Sequence, residues 1–561
     1  MKDTVSEVEQ IKARSNYLRG TLEESLADEL SGALSPDDTQ LSKFHGLYQQ
    51  DDRDVRRDRR RSLLEPYYRF MLRARLPGGV CRPEQWLVID RIGQQLANGT
   101  LRLTTRQTFQ FHGILKHNLK PTIQAMNRVL LDSIGGCGDV NRNICCNPNP
   151  MVSRLHRDVY GWARRLSEHL LPRTRAYHEL WLDEEKVAAS EACEPLYGPT
   201  YLPRKFKIAI AVPPHNDVDV YANDLGFVAI AEDERLLGFN VLAGGGMGTT
   251  QGDTSTFPRL ADALGFIEPD QALRVAEAVL TVQRDFGNRR ERTRSRLKYT
   301  IERLGLEVFR AEVEQRAGMV FGASRAARFT DHGDRFGWVS GTDGRWYLTL
   351  FVENGRVADG PERRALTGLR KIARVHQGDF RITAGQNLVI AGVPDEEKTT
   401  IEALAVEYGL LRTDATPLRR NSMACVALPT CPQAMAEAER YFPRLLDRVD
   451  TLTRRHGIGE HEIVVRMTGC PNGCARPFLA EIGLIGKAPG KYNLYLGGDG
   501  IGTRLNKLYQ DNLDETDLLE ILDELLRRYA TQRLERERFG DFVIRAGIVA
   551  AVINPAVDFH A

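Results

Sequence analysis

An internal repeat sets the tightest limit on how this chain can fold. GTLRLTTRQTFQFHGI, starting at Gly99, resembles GDFRITAGQNLVIAGV, starting at Gly378. Gly99, Arg102, Thr104, Gln107 and Gly113 match Gly378, Arg381, Thr383, Gln386 and Gly392, every pair 279 positions apart. Each copy follows a helix-like apolar pattern: Trp86, Ile89, Ile92 and Leu96 before the first, Leu366, Leu369 and Ile372 before the second. The same spacing carries Cys146 onto Cys425, and FNVLAGGG at Phe239 resembles YNLYLGGD at Tyr492. Several matches in register argue for duplicated halves about a pseudo-twofold axis, with a site between them built by both copies. At 561 residues the chain exceeds one hydrophobic core, and roughly one domain per 150 residues suggests three or four.

The formal net charge of +2 gives no whole-protein pull toward nucleic acid or membrane, so basic clusters must be read locally. No apolar run of about 18 residues occurs, and the start, MKDTVSEVEQ, lacks the apolar stretch of a secretory signal. Nine cysteines are too few for a disulfide scaffold in a chain this long, and four cluster late, which in a reducing cytoplasm suggests metal. Residues 1–69 read as a separate segment. Its run DDRDVRRDRRR, Asp51 to Arg61, suits a solvated helix or arm, with a docking arm for a partner protein as the alternative.

Cys425 and Cys431 form C-x5-C, and Cys470 and Cys474 form C-x3-C. Four thiolates can hold a [4Fe–4S] cube; zinc, which prefers tighter knuckles, and four unrelated buried thiols are the alternatives. Pro432 and Pro471 follow two of the cysteines, leaving nearby N–H groups to point at sulfur. Cys81, Cys137, Cys145, Cys146 and Cys193 show no ligand spacing.

Alternate residues of a strand share a face. From Leu101 one face is apolar (Leu101, Leu103, Phe109, Phe111), and the other carries Arg102, Thr104, Arg106, Thr108, Gln110 and His112. Arg73 with Arg75, and Lys205 with Lys207, form similar rows, and Arg142 adds a further cation. Such rows are often just the wet face of a half-exposed sheet. Three of one sign, with almost no interleaved acid, instead suit an anionic ligand with several carboxylates.

TTRQTFQFHGI, YLPRKFK, NSMACVALPTCP, RMTGCPNGC and AEIGLIGKAPGKYNLYLGG resemble the sirohaem-dependent sulfite and nitrite reductases. Within that family SNYLRGT and KFHGLYQQDDRDVR are most similar to the haemoprotein (beta) subunits of assimilatory NADPH-linked sulfite reductases. The resemblance runs from about Ser15 to the end. It implies an α+β, three-domain fold with repeated halves around the cofactors. The parts would be an arm over 1–69, central half-domains over 70–134 and 339–412, a sirohaem and substrate domain over 135–338, and a cluster domain over 413–561. It implies Cys425, Cys431, Cys470 and Cys474 as [4Fe–4S] ligands, Cys474 also bridging to the sirohaem iron. Arg73, Arg142, Lys205 and Lys207 would surround sulfite; Arg102, Thr104, Arg106, Gln110, Arg204 and Lys298 would hold sirohaem carboxylates. Pro477 departs from the family pattern, where a better helix former is expected.

The activity so implied is six-electron reduction of sulfite to sulfide, in sulfate assimilation and cysteine biosynthesis in the cytoplasm. A flavoprotein (alpha) partner in a hetero-oligomer would carry FAD, FMN and NADPH. In this chain the glycine clusters Gly244–Gly248 and Gly497–Gly502 both miss the G-x-G-x-x-G spacing of a dinucleotide site. The rivals are a ferredoxin-fed sulfite or nitrite reductase of the same fold and a non-enzymatic iron–sulfur or zinc-structured protein. Nitrite enzymes usually have asparagine where this chain has Lys207, and a binding protein would leave the basic rows idle.

Overall fold

The two repeats exchange strands. The structure is a computed structural model that describes residues 5–181 and 194–561; Cys193 lies outside the described residues. One antiparallel sheet runs in the order Leu47–Asp51, Tyr68–Arg73, Phe109–Ile114, Leu101–Leu103, Arg356–Val357. Its counterpart runs Gly337–Ser340, Trp346–Leu350, Leu388–Val393, Asp379–Ile382, Val80–Cys81. Each sheet therefore ends on a two-residue strand donated by the other repeat, with Arg356 opposite Arg102 and Val80 opposite Arg381. Neither half can close its sheet alone. Trp86, on helix Pro83–Gln95 of the first repeat, also stacks on Phe380 of the second at 4.6 Å between ring centres.

The crossings leave no room for a side chain. Gly79 has φ +76° and a Cβ there would lie 2.4 Å from the Ile382 carbonyl oxygen; Gly355 has φ +73° and its Cβ would lie 2.3 Å from the Leu103 oxygen. Both positions need glycine twice over, for a left-handed backbone and for a close approach to backbone of the other repeat.

The outer parts are duplicated too. Ile208–Ala211, Leu225–Glu232, Arg235–Ala243 and Asp262–Ile267 form one mixed sheet, its first pair parallel and the rest antiparallel. Met423–Ala424, Val465–Thr468, Ile482–Ala488, Lys491–Leu496 and Lys507–Leu513 form the other, with two parallel pairs before the antiparallel ones. FNVLAGGG and YNLYLGGD occupy equivalent strands of these two sheets. The last part has its own apolar core, from Leu418 to Val549, and the largest core joins most of the rest, with smaller clusters beside it.

The N-terminal segment does not stand apart, contrary to the reading of 1–69 as a separate arm. Leu47–Asp51 pairs along Tyr68–Arg73 as the edge strand of the first central sheet, just as Gly337–Ser340 does in the second. Leu18, Leu22, Leu41, Phe44 and Leu47 are buried in the main core. LYQQD hides this role because its polar residues break the apolar alternation by which a strand is recognised. Among the described elements of this segment the helix Arg56–Arg61 has no buried residue, in keeping with a charged run at the surface. Among the described residues no helix is long and apolar enough to cross a membrane.

Alanine at Gly355 or Gly79 should cost about 2–4 kcal/mol, the sum of left-handed strain and overpacking. Gly344→Ala, at φ +72° with nothing within 4 Å, is the control for backbone strain alone. Thermal melting should rank both crossing variants clearly below the control; equal losses would show that the crossings tolerate a methyl group.

Candidate cofactor and anion site

The basic row runs across the sheet rather than along one strand. Residues 104–108 form a turn, with Gln107 at φ 53° and the Thr104 N–H bonded to Thr108 O at 3.0 Å, so the expected continuous strand is a hairpin. Register then sets Arg73 opposite Gln110, Gln110 opposite Arg102, and Arg102 opposite Arg356. Cross-strand partners share a face, so these four polar side chains line one face across four strands, the last from the other repeat. With its amide oxygen turned inward, Gln110 accepts from Arg73 Nε at 3.2 Å. Arg75 leaves the row and pairs with Asp132 at 2.6 Å.

The loop before Arg142 ties two cations together. Arg73 Nη1 and Arg142 Nη1 both donate to the Gly136 carbonyl, at 3.3 and 3.4 Å, and Arg142 Nη2 donates to Gly138 O at 2.6 Å. The Arg142 N–H donates to Phe206 O at 2.9 Å, which lays Lys205 and Lys207 alongside. Asp224 accepts the Lys207 backbone N–H at 2.9 Å and grips Arg296 through both carboxylate oxygens.

Lys205 and Lys207 side chains have no hydrogen-bond or carboxylate partner among the described residues. Burial, then the Arg204 and Arg296 guanidiniums, pushes the Lys205 ammonium down to about 7. Burial, then Lys205 and Arg296, drives Lys207 well below its ordinary value. Both side chains are nonetheless half-exposed, the combination expected of groups lining an internal recess. Cys474 lies within the field of both lysines and of Arg102. His112 is buried with neither ring nitrogen partnered, and burial beside Arg356, Arg102 and Arg73 keeps it neutral.

The other cations expected to hold carboxylates differ in how far they are occupied. Arg106 Nη1 bonds Asn223 Oδ1 at 2.7 Å while its buried Nε has no partner. Thr104 Oγ1 accepts the Arg106 N–H at 3.3 Å. Arg204 reaches Asp139 only at 3.9 Å. Arg102 pairs with Glu439 and donates to Ala424 O at 2.9 Å. Lys298 is turned to the protein, its ammonium bonded to the carbonyls of Gly246, Gly248 and Phe257.

The four spaced cysteines lie within one another's electrostatic field, although among the described residues no three histidine, cysteine or acidic side chains sit close enough to hold a single metal ion. Cys431, Cys470 and Cys474 each raise the pKa of Cys425 after burial, and Cys474 does the same for Cys431 and Cys470. The Gly469 N–H points at Cys425 Sγ at 3.4 Å, and backbone N–H groups of Gln433, Ala434 and Asn472 face the sulfurs of Cys431 and Cys470. Such donors suit sulfur carrying negative charge. Gly473, at φ +63°, packs against Met247 O, so the Gly244–Gly248 turn buttresses the cysteine turn. Pro477 opens a short 3-10 turn, a position where proline lacks nothing. Cys145 and Cys146 run beside the strand Ile208–Ala211, as Cys425 runs beside Val465–Thr468. The doublet is the buried counterpart of the ligand strand.

Sequence reasoning missed the acid that centres the site. Asp219, fully buried, accepts from Arg466 Nη1 at 2.8 Å and pairs with Arg476 and His332. Arg476, two residues past Cys474, donates to Thr105 O at 3.2 Å and Ala384 O at 3.0 Å, which are equivalent positions of the two repeats. It therefore pins the cysteine turn on the pseudo-twofold axis. No local pattern reveals such a contact, because its partners lie hundreds of residues apart.

Comparison with known proteins agrees with this geometry. The model described as "Nitrite and sulphite reductase 4Fe-4S domain" matches residues 161–321 and 416–551. "Nitrite/Sulfite reductase ferredoxin-like half domain" matches 64–129 and 340–408. Each is matched once in each repeat. The chain belongs to the nitrite and sulphite reductase family. It is 64% identical over its whole length to the sulfite reductase [NADPH] hemoprotein beta-component of Thiocapsa roseopersicina, all of which is covered. It is 60% identical over 98% of both chains to the protein of the same name in Shewanella putrefaciens. The solved NirA protein of Mycobacterium tuberculosis superposes with a TM-score of 0.79 at 25% identity, covering 96% of each chain.

Burial raises the carboxyl pKa of Asp219, but Arg466 and Arg476 outweigh it and hold the group well below the ordinary carboxylate range. The stabilisation is complete above about pH 4, the unfolded value, and drains as pH falls through the depressed folded value. Asp219→Asn should cost about 3–5 kcal/mol at neutral pH, since it strands two buried arginines. The gap in thermal stability from the parent should hold above about pH 5 and narrow below about pH 4. A gap that stays constant through that range would mean the carboxylate charge is not what holds the arginines.

Proposed function

We propose that this chain reduces sulfite to sulfide on a sirohaem coupled to a [4Fe–4S] cluster, as the haemoprotein component of an NADPH-linked sulfite reductase. The observation that carries this reading is the recess where Lys205 and Lys207, without a counter-charge, share their field with Cys474. A polycarboxylate tetrapyrrole and a small dianion supply the missing negative charge, and the four spaced cysteines fit a cubane.

Cys425, Cys431, Cys470 and Cys474 would hold the cluster, Cys474 also reaching the sirohaem iron. Arg102, Thr104, Arg106, Gln110 and Arg204 would hold sirohaem carboxylates, with Lys298 ordering the glycine turn beside them. When bound, the coupled pair would supply electrons one at a time and a metal to bind the substrate sulfur. The chain's own groups do the rest. Arg73 and Arg142, locked on one carbonyl, present fixed positive charge to the substrate oxygens. Lys205 and Lys207 add two ammoniums whose lowered pKa values ready them to release protons as oxygen leaves as water. Asp224 fixes the backbone of Lys207 without neutralising its side chain.

The names of the relatives place them as beta-components, which supports a flavoprotein alpha partner carrying FAD, FMN and the NADPH site. Arg56–Arg61 is the exposed charged element on the N-terminal side of the cluster loop and the candidate contact. A chain beginning at Leu64 would lose the edge strand Leu47–Asp51, so docking is tested by charge substitutions in that helix, not by truncation.

The isolated chain, assayed with reduced methyl viologen, should reduce sulfite and leave NADPH unoxidised. Lys207→Asn should lower sulfite turnover by about ten-fold or more and spare nitrite turnover better, because a dianion loses more than a monoanion when one buried cation goes. NADPH oxidation by the chain alone, or equal losses on both anions, would overturn the partner and the substrate assignment respectively.

A further inference from the structure

Among the described residues, Arg53 of the N-terminal segment hydrogen-bonds the cysteine loop. Arg53 Nη1 donates to the carbonyl of Ala434 at 2.6 Å and to that of Cys431 at 3.4 Å. Its own N–H donates to Pro429 O at 3.2 Å. Next to it, Asp54 pairs with Arg440 at 2.6 Å, beyond the same loop. Arg53 thus spans the C-x5-C loop from outside. It has no carboxylate partner among the described residues, so its charge is directed at the loop. Pro432 and Gln433 are exposed, so Arg53 lies at a solvent-facing edge of the cysteine loop. Three residues on, Arg56–Arg61 begins, with no residue buried.

We propose that Arg53 is a positioning residue that tunes the reduction potential of the cluster held by Cys425, Cys431, Cys470 and Cys474, so that the N-terminal segment controls how readily an electron enters. The inference rests on the cluster reading above. Taking up one electron makes the cluster one unit more negative, and no proton or bond change is required. A fixed cation beside Cys431 stabilises that added charge and makes the cluster easier to reduce. Because Arg53 is continuous with the exposed helix, anything that shifts the helix shifts the cation as well.

The test is a redox titration of the full-length holoenzyme, following the reduced cluster by electron paramagnetic resonance, after counting iron and acid-labile sulfide in each variant. Arg53→Gln should lower the reduced-to-oxidised ratio at a fixed potential by about ten-fold, equivalent to a midpoint about 59 mV more negative for one electron. Arg53→Lys keeps the charge and should stay within about two-fold of the parent. If Arg53→Gln does not load the cluster, Arg53→Lys carries the test alone, and a ten-fold fall in it overturns the proposal. An unchanged midpoint in Arg53→Gln with full cluster content also overturns it. A parent protein with no cluster signal would instead overturn the cluster reading itself.

Discussion

Two short strands, Arg356–Val357 and Val80–Cys81, decide the architecture. Each completes the sheet of the opposite repeat, so the two central halves can fold only as one body. Both crossings depend on a glycine whose backbone meets a carbonyl of the other repeat. From this constraint the position of the site follows. The hairpin turns at Thr105 and Ala384 are brought to one axis, where Arg476 caps both and holds the Cys470–Cys474 turn between them. The anion recess and the cysteine cluster meet because the repeats meet.

Electrostatics then distinguishes the two faces of this junction. Asp219 neutralises Arg466 and Arg476 on the structural side, where the charges are fixed and buried. On the functional side Asp224 satisfies Arg296 and the Lys207 backbone, yet the lysine ammoniums remain unopposed. Burying uncompensated cations is unfavourable, and Lys205 and Lys207 show it in their depressed pKa values. A protein that keeps such charges without counter-ions is arranged for a ligand that brings them.

Much of this could be read from the sequence. The 279-residue spacing revealed the duplication, the cysteine spacing pointed to a cluster, and the scarcity of acids along the basic rows pointed to an anionic ligand. Three features could not be read. Two-residue strands carry no periodicity, so the exchange was invisible. The turn at 104–108 preserves the polar–apolar alternation of a strand while reversing the chain, so a row across the sheet looked like a row along it. LYQQD lacks an apolar rhythm because only Leu47 of it is deeply buried while Gln50 is covered by its neighbours. Its place in the sheet is dictated by pairing rather than by pattern. Arg53 was concealed for a related reason: within DDRDVRRDRRR nothing marks which arginine reaches the cysteine loop.

The central claim is that the duplicated halves enclose a tetrapyrrole and a cysteine-held cubane together. Metal and acid-labile sulfide analysis of the purified chain, combined with its visible spectrum, tests it most directly. The account predicts about five irons and about four sulfides per chain, with intense Soret absorption from a tetrapyrrole and no stoichiometric zinc. Zinc in place of iron, or iron and sulfide without a tetrapyrrole band, would contradict it.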